Sequence, residues 1–214
     1  APGDRRYGGM LSLGARSQSE WRGNEISVGA DLVVLGPQTG ISNFQKFIHN
    51  AIDLPEPTVV SNQLGNGFYP TLQAEIGRPF VLNSQVTLRP FAEAQAGVES
   101  YVRIGGDLVI GQFGTGAVMV RDTVTGQRYR AVESAHNEGF SLVLGGDLAK
   151  VFDSALLPGG EPAVMVDERS RLRAGLHWQA ARASVFYGVS YLSREFEAQP
   201  EGQLVGAMTL NMKF

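Results

Sequence analysis

The chain has no cysteine. Disulfides and thiolate metal sites are therefore excluded, while the compartment stays open. No run of ~18 apolar residues occurs, so no transmembrane helix is available. No leader of the basic-then-apolar kind stands at the front. Ala1 opens directly on PGDRRYGG, and the expectation is a processed or trimmed chain. Basic charge is not in excess either. The net charge is −3 over 214 residues, which lacks the electrostatic footprint of a nucleic-acid binder. What the chain does have is glycine, 27 residues, at a mean hydropathy of −0.07. That profile suits a soluble β-sandwich or a membrane β-barrel, since a barrel hides its membrane signal in alternation rather than in runs. The length allows one all-β domain over residues 1–214, with no internal repeat and no linker.

Alternation is the main signal. Ile26, Val28, Ala30, Leu32 and Val34 share one face of a strand, opposite Glu25, Ser27, Gly29 and Asp31. Leu72, Ala74 and Ile76 oppose Thr71, Gln73 and Glu75; Leu172, Ala174, Leu176 and Trp178 oppose Arg171, Arg173, His177 and Gln179. Similar patterns run through Val86–Val98, with Val98 on the apolar side, and Val102–Ile110. The last segment places Leu204, Met208, Leu210, Met212 and Phe214 on one face. Periodicity alone does not separate a sandwich, apolar inside, from a barrel, apolar outside around a polar lumen. Three features favour the barrel. The strands are long, about ten residues, as a tilted bilayer crossing requires. Tyr7, Tyr69, Tyr101, Trp178 and Phe214 fall near strand ends, as an interfacial girdle would. Short connections at Leu82–Ser84 and Ala180–Ala181 contrast with long ones at Gly36–Gly67, Gly111–Glu138 and Phe152–Pro162, read as turns on one side of a membrane and loops on the other. Ala117–Asp122 and Gln127–Val132, joined at Thr125-Gly126, predict an extra hairpin extending above the membrane. About eleven strands are counted. Because bacterial single-chain barrels have an even number, one N-terminal strand is expected to be missing.

One stretch breaks the strand pattern. Within Gly36–Asn66 a helix is predicted over about residues 41–53, with Ser42 or Asn43 as its cap and Pro55 and Pro57 as its stop. Phe44, Phe47, Ile48, Ala51 and Ile52 recur at helical spacing and are expected to bury one face, holding the neighbouring side chains in place. Gln45 and His49 are four residues apart and so project from the same side, one turn apart. A helix in an otherwise β chain that pairs an amide with an imidazole is the place to look for chemistry. The plain alternative is a surface loop helix whose His and Gln face water.

Several stretches, in order, resemble the outer-membrane lipid A deacylase (LpxR-like) family. Asp4-Arg5-Arg6-Tyr7-Gly8-Gly9 is similar to the family's DRPYAG opening of an early strand. Leu35-Gly36-Pro37, Gln45-x-x-x-His49 and Asn62-Gln63-Leu64 resemble its central block. Ala96-Gly97-Val98 with Arg103-Ile104-Gly105, and then Ser193-Arg194-Glu195-Phe196-Glu197 with the closing strand, resemble its later blocks. The resemblance implies a 12-stranded transmembrane antiparallel β-barrel in the bacterial outer membrane, with the short helix in an extracellular loop. It implies lipid A, within lipopolysaccharide, as substrate and a 3′-O-deacylase reaction. His49 would activate water, Gln45 would assist it, and Arg5 would contact substrate or oxyanion. It also implies Ca²⁺ as cofactor, with ligands on an N-terminal segment ahead of Ala1. The sequence departs from the family at Arg6 (proline), at Gly8 (alanine) and at Gly67, near where an acidic residue is usual.

Other candidates are weaker. Asp53 and Glu56 offer hard oxygen ligands, yet two loop carboxylates are ordinarily just solvated. His136 sits in a polar loop, and His177 is expected to line the lumen beside an ion-paired set of Arg103, Arg171, Arg173, Glu93 and Glu99. Gly105-Gly106 and Gly145-Gly146 fall within strands and are read as relief of crowding. Two further readings stay open: an inactive relative serving as a structural or partner-binding barrel in a membrane assembly, and a soluble β-sandwich binding module.

Overall fold

The computed structural model describes residues 6–52, 63–132, 138–159 and 163–212, with the backbone alone at 49, 50 and 132. Among the described residues twelve strands run in chain order: β1 Met10–Trp21, β2 Asn24–Leu35, β3 Gly67–Gly77, β4 Phe80–Asn83, β5 Val86–Ala96, β6 Glu99–Ile110, β7 Val118–Arg121, β8 Arg128–Val132, β9 Gly139–Ser154, β10 Glu168–Gln179, β11 Ala183–Leu192 and β12 Gln203–Met212. One helix, α1, covers Ile41–Ala51. Ten strands form one antiparallel sheet in the order β1-β2-β3-β5-β6-β9-β10-β11-β12, with β4 continuing the lane of β3 along β5. Strands β7 and β8 pair only with each other.

That hairpin shows how the sheet is bent. Gln18 on β1 donates to the Met119 carbonyl on β7 at 2.8 Å. Gln127, just before β8, donates to carbonyls of Ala174 on β10 and Val189 on β11 at 3.3 and 3.2 Å. In a flat sheet β1 and β11 would stand roughly 34 Å apart at ~4.8 Å per strand. A two-stranded hairpin is far narrower, so it touches both only if the sheet wraps around it. The expected place for this hairpin is above the membrane, prolonging the wall; it instead fills the concave side. The reason is charge. Arg121 pairs with Glu75 on β3 and Asp107 on β6, both at 2.7 Å, and Arg128 pairs with Glu25 on β2 at 2.7 Å. A hairpin bearing one buried and one half-buried arginine is satisfied against the wall's carboxylates.

The two faces of the wall are inverted relative to a soluble protein. Arg89, Glu93, Asp107, Asp147, Arg171, Arg173 and His177 are buried on the inner face. Leu72, Ile104, Leu148, Leu172, Leu204 and Met208 stand outward, each more than 60 % exposed. The inner charges are paired as expected: Arg103 with Glu93 at 2.9 Å, Arg171 with Asp147 at 3.0 Å, Arg169 with Glu99 at 2.9 Å, and Arg173 with Asp107 at 2.9 Å and also with Asp147. Gly145 makes room for this network, since a Cβ there would lie 2.8 Å from Arg173 Nη2 and 2.9 Å from Asp107 Oδ1. His177 lies against the Phe113 ring at 4.5 Å, within the lumen.

The strand register assigns every connection to an end. Arg22-Gly23, the β4–β5 turn at Ser84 and the turn at 180–182 share one end. The long connection 111–138 starts at that same end, where Gln112 donates to the Ser84 carbonyl at 2.7 Å. The division into a side of short turns and a side of long loops therefore fails for this connection, because its length is spent inside the lumen. At the opposite end lie the segment carrying α1, the Gly97-Val98 turn, and connections 155–167 and 193–202.

Candidate functional site

The entry to α1 is built by two glycines. Gly36 has φ 91° and Gly40 has φ 71°, both in the left-handed region that side chains avoid. Between them Pro37–Thr39 forms one 3-10 turn, braced by Thr39 Oγ1 donating to the Gly36 carbonyl at 2.8 Å. Gly40 closes that turn and is also the N-cap of α1, with no side-chain cap bond. The expected caps, Ser42 and Asn43, do not serve. Ser42 lies inside the helix, and its hydroxyl donates to Gln63 Oε1 at 3.2 Å. Beneath the turn Val33, Leu35 and Val98 form a small apolar cluster, with Leu35 only 1 % exposed. Val98, expected on the outward face, instead lies beyond the end of β5, where its amide donates to Thr71 Oγ1 at 3.0 Å.

Gln45 is half-buried and faces the segment before β1. Tyr7 Oη donates to Gln45 Oε1 at 2.9 Å, which fixes the amide and leaves its NH₂ group with two donors to offer. The backbone of this segment is held as well. Leu64 N donates to the Tyr7 carbonyl at 2.7 Å, and Gly36 N donates to the Gly9 carbonyl at 2.9 Å. Leu64 is buried over Gly8, where a Cβ would come within 2.7 Å of Leu64 Cδ1. Glycine where the resembling motif has alanine is thus matched to a close-packed leucine. His49 occupies α1 one turn after Gln45, so its Cα is on the Ser42–Gln45 side of the helix. Its side chain, Arg5, Asp53, Glu56, Asn62, His136 and Phe214 lie outside the described residues. Tyr7 is the site residue the sequence reading did not single out. Its place near a strand end marks it as an interfacial aromatic, and its partner Gln45 is 38 residues away.

Other stretches of the resemblance gather at this same end. Gly97 turns between β5 and β6 against the Pro70 carbonyl, where a Cβ would approach to 2.6 Å. Phe196 is buried and bridges to Met165. Below the rim the lumen holds a cavity of about 270 Å³, with Arg103, Arg169 and Arg171 on its walls and Thr123-Val124 of the hairpin as part of its floor. These arginines are committed to the carboxylates named above.

The family model for outer membrane protein LpxR matches residues 1–214. The chain belongs to this family. Among solved structures, LpxR from Salmonella typhimurium superposes with a TM-score of 0.83 at 16 % identity, over 99 % of this chain and 75 % of that one. That match carries the barrel fold. A NanC porin structure aligns with a TM-score of 0.37 at 10 % identity, over 97 % of each chain, and carries no argument. No curated protein matches the chain. As a member of the LpxR family the protein is an outer-membrane β-barrel, and the outward leucines face lipid. Short turns of such barrels face the periplasm, so α1 stands at the outer-leaflet end.

Proposed function

We propose that this LpxR-family chain is an ester hydrolase of the lipid A 3′-O-deacylase type, with His49 as general base, Gln45 as its positioning partner and Arg5 as a contact to substrate or oxyanion. The observation that carries the reading is convergence. The early-strand motif and the central block are apart in sequence, and hydrogen bonds join them at the rim: Tyr7 to Gln45 and to Leu64, and Gly9 to Gly36. That rim is where an acyl ester of an outer-leaflet lipid stands.

The reaction follows from the residue types. An imidazole with an unperturbed pKa of ~6.5 takes a proton from water near neutral pH. The hydroxide adds to the ester carbonyl carbon, and the carbon–oxygen bond to the sugar 3′-oxygen breaks. The imidazolium returns the proton to the leaving oxygen, giving a fatty acid and a free hydroxyl. Gln45, held by Tyr7, orients the ring or the water with its NH₂ donors. The resemblance also implies calcium. Among the described residues, no group of three His, Asp or Glu side chains is placed to hold a metal ion. No step above runs through calcium.

The test is mass analysis of lipid A from cells with and without the protein. Loss of one acyloxyacyl group with the wild type, and not with His49→Ala, is the expected outcome. A chelator arm decides the calcium requirement. An unchanged lipid profile in every arm would sink the hydrolase reading and leave an inactive, structural or partner-binding barrel.

A further inference from the structure

Among the described residues, nothing buries the apolar face of α1. Phe44 is 63 % exposed, Phe47 69 % and Ile52 60 %, against the expectation that they would anchor the helix. At 3.6 residues per turn Phe44, Phe47, Ile48 and Ala51 share one stripe, with Ile52 just past its end; the helix positions 42, 45 and 49 take the adjoining stripe, and Lys46 takes the far side. A two-phenylalanine face left in water is unfavourable, so something apolar covers it.

The lipid-facing wall leads straight to it. Leu11, Val34 and Phe68 are register partners on β1, β2 and β3, forming an outward row at the top of the wall. Leu11 and Phe68 are exposed. Val34 stands two residues before Gly36, where the chain turns toward α1. The helix thus starts from the edge of a surface that already faces acyl chains.

We propose that α1 is an interfacial helix, lying at the headgroup–acyl boundary of the outer leaflet with Phe44, Phe47 and Ile52 among lipid tails. Lys46, on the polar side, reaches toward anionic headgroups. The occupant is lipid rather than a protein partner. The consequence is access: the lipid-contacting stripe adjoins the Ser42–Gln45–His49 stripe, so an acyl chain of an embedded ester passes along the helix to reach it. This consequence rests on the hydrolase reading; the lipid contact does not.

Because the chain has no cysteine, single labels are clean. Phe47→Cys and Lys46→Cys variants carry a nitroxide in vesicles of phosphatidylethanolamine, phosphatidylglycerol and lipid A, with heat-modifiable gel mobility confirming the folded barrel. The Phe47 label is expected to be relaxed by oxygen and shielded from a water-soluble nickel chelate, and the Lys46 label the reverse. Relaxation of the Phe47 label by nickel, or shielding from both reagents by covering protein, overturns the proposal. Access is read separately. A Phe44→Ser/Phe47→Ser double variant is expected to raise KM for a bilayer-embedded ester by about tenfold or more, leaving kcat/KM on a short water-soluble ester unchanged. Equal losses on both esters overturn the access role. No hydrolysis by the wild type, with the Phe47 label still in lipid, removes the hydrolase reading and keeps the lipid contact.

Discussion

The Tyr7–Gln45 hydrogen bond joins the segment before β1 to the helix that carries His49. An amide oxygen that accepts from Tyr7 turns its NH₂ away from that hydroxyl, toward whatever His49 activates. Tyr7→Phe keeps the ring and removes the donor. Its expected cost in stability is about 0.5–1.5 kcal/mol, measured by urea unfolding in detergent. Its larger expected effect is on hydrolysis. Tyr7→Phe and Gln45→Ala should each slow it, and the double variant should be no slower than Gln45→Ala alone, because the two act as one unit. Additive losses would separate them. The spacing Gln45-x-x-x-His49 was legible in the sequence because helical periodicity is local. Tyr7 was not, because its partner is 38 residues away and only the folded rim brings the two together.

At the scale of elements, α1 depends on its entry turn and the hairpin depends on its charges. Gly40 has open space around a hypothetical Cβ, so substitution there costs only backbone strain. Gly40→Val is expected to cost about 1–2 kcal/mol and Gly40→Asn less, with loss of hydrolysis tracking the strain if the helix must be ordered. Thermal melts and activity on both variants check this. For the hairpin, Arg121→Met leaves Glu75 and Asp107 short of a partner in the lumen. A loss of about 3–5 kcal/mol is expected, as for other broken buried pairs, read as a lower urea midpoint in detergent. The hairpin's two strands were evident from alternation and Thr125-Gly126. Its position was not, because periodicity does not distinguish a strand that prolongs a wall from one that folds back against it. Helix α1 carries the same lesson. Its apolar stripe was legible, but whether protein or lipid covers the stripe is a property of its surroundings.

For the whole molecule, the inverted faces decide the environment. Ile104 is mid-strand on β6, points outward and is 65 % exposed. On a soluble protein, replacing it by arginine would be near neutral. In a bilayer, Ile104→Arg is expected to cost about 2–4 kcal/mol, seen as reduced insertion and a lower urea midpoint in vesicles, with little change in detergent. Equal stability in both media would argue against a lipid-facing wall at this position. The alternating runs of β2, β3, β10 and β12 specified two-faced strands, since side chains on a pleated backbone must alternate. They also made the all-β class readable before any coordinates. What they left open was the sense of the curl. Only the ion pairs among Arg89, Glu75, Asp107, Arg121 and Arg173, drawn from five strands and closed over a hairpin, put the charged side inward. A local pattern fixes which residues share a face, while long-range pairing fixes where that face points and which distant residues meet at the rim.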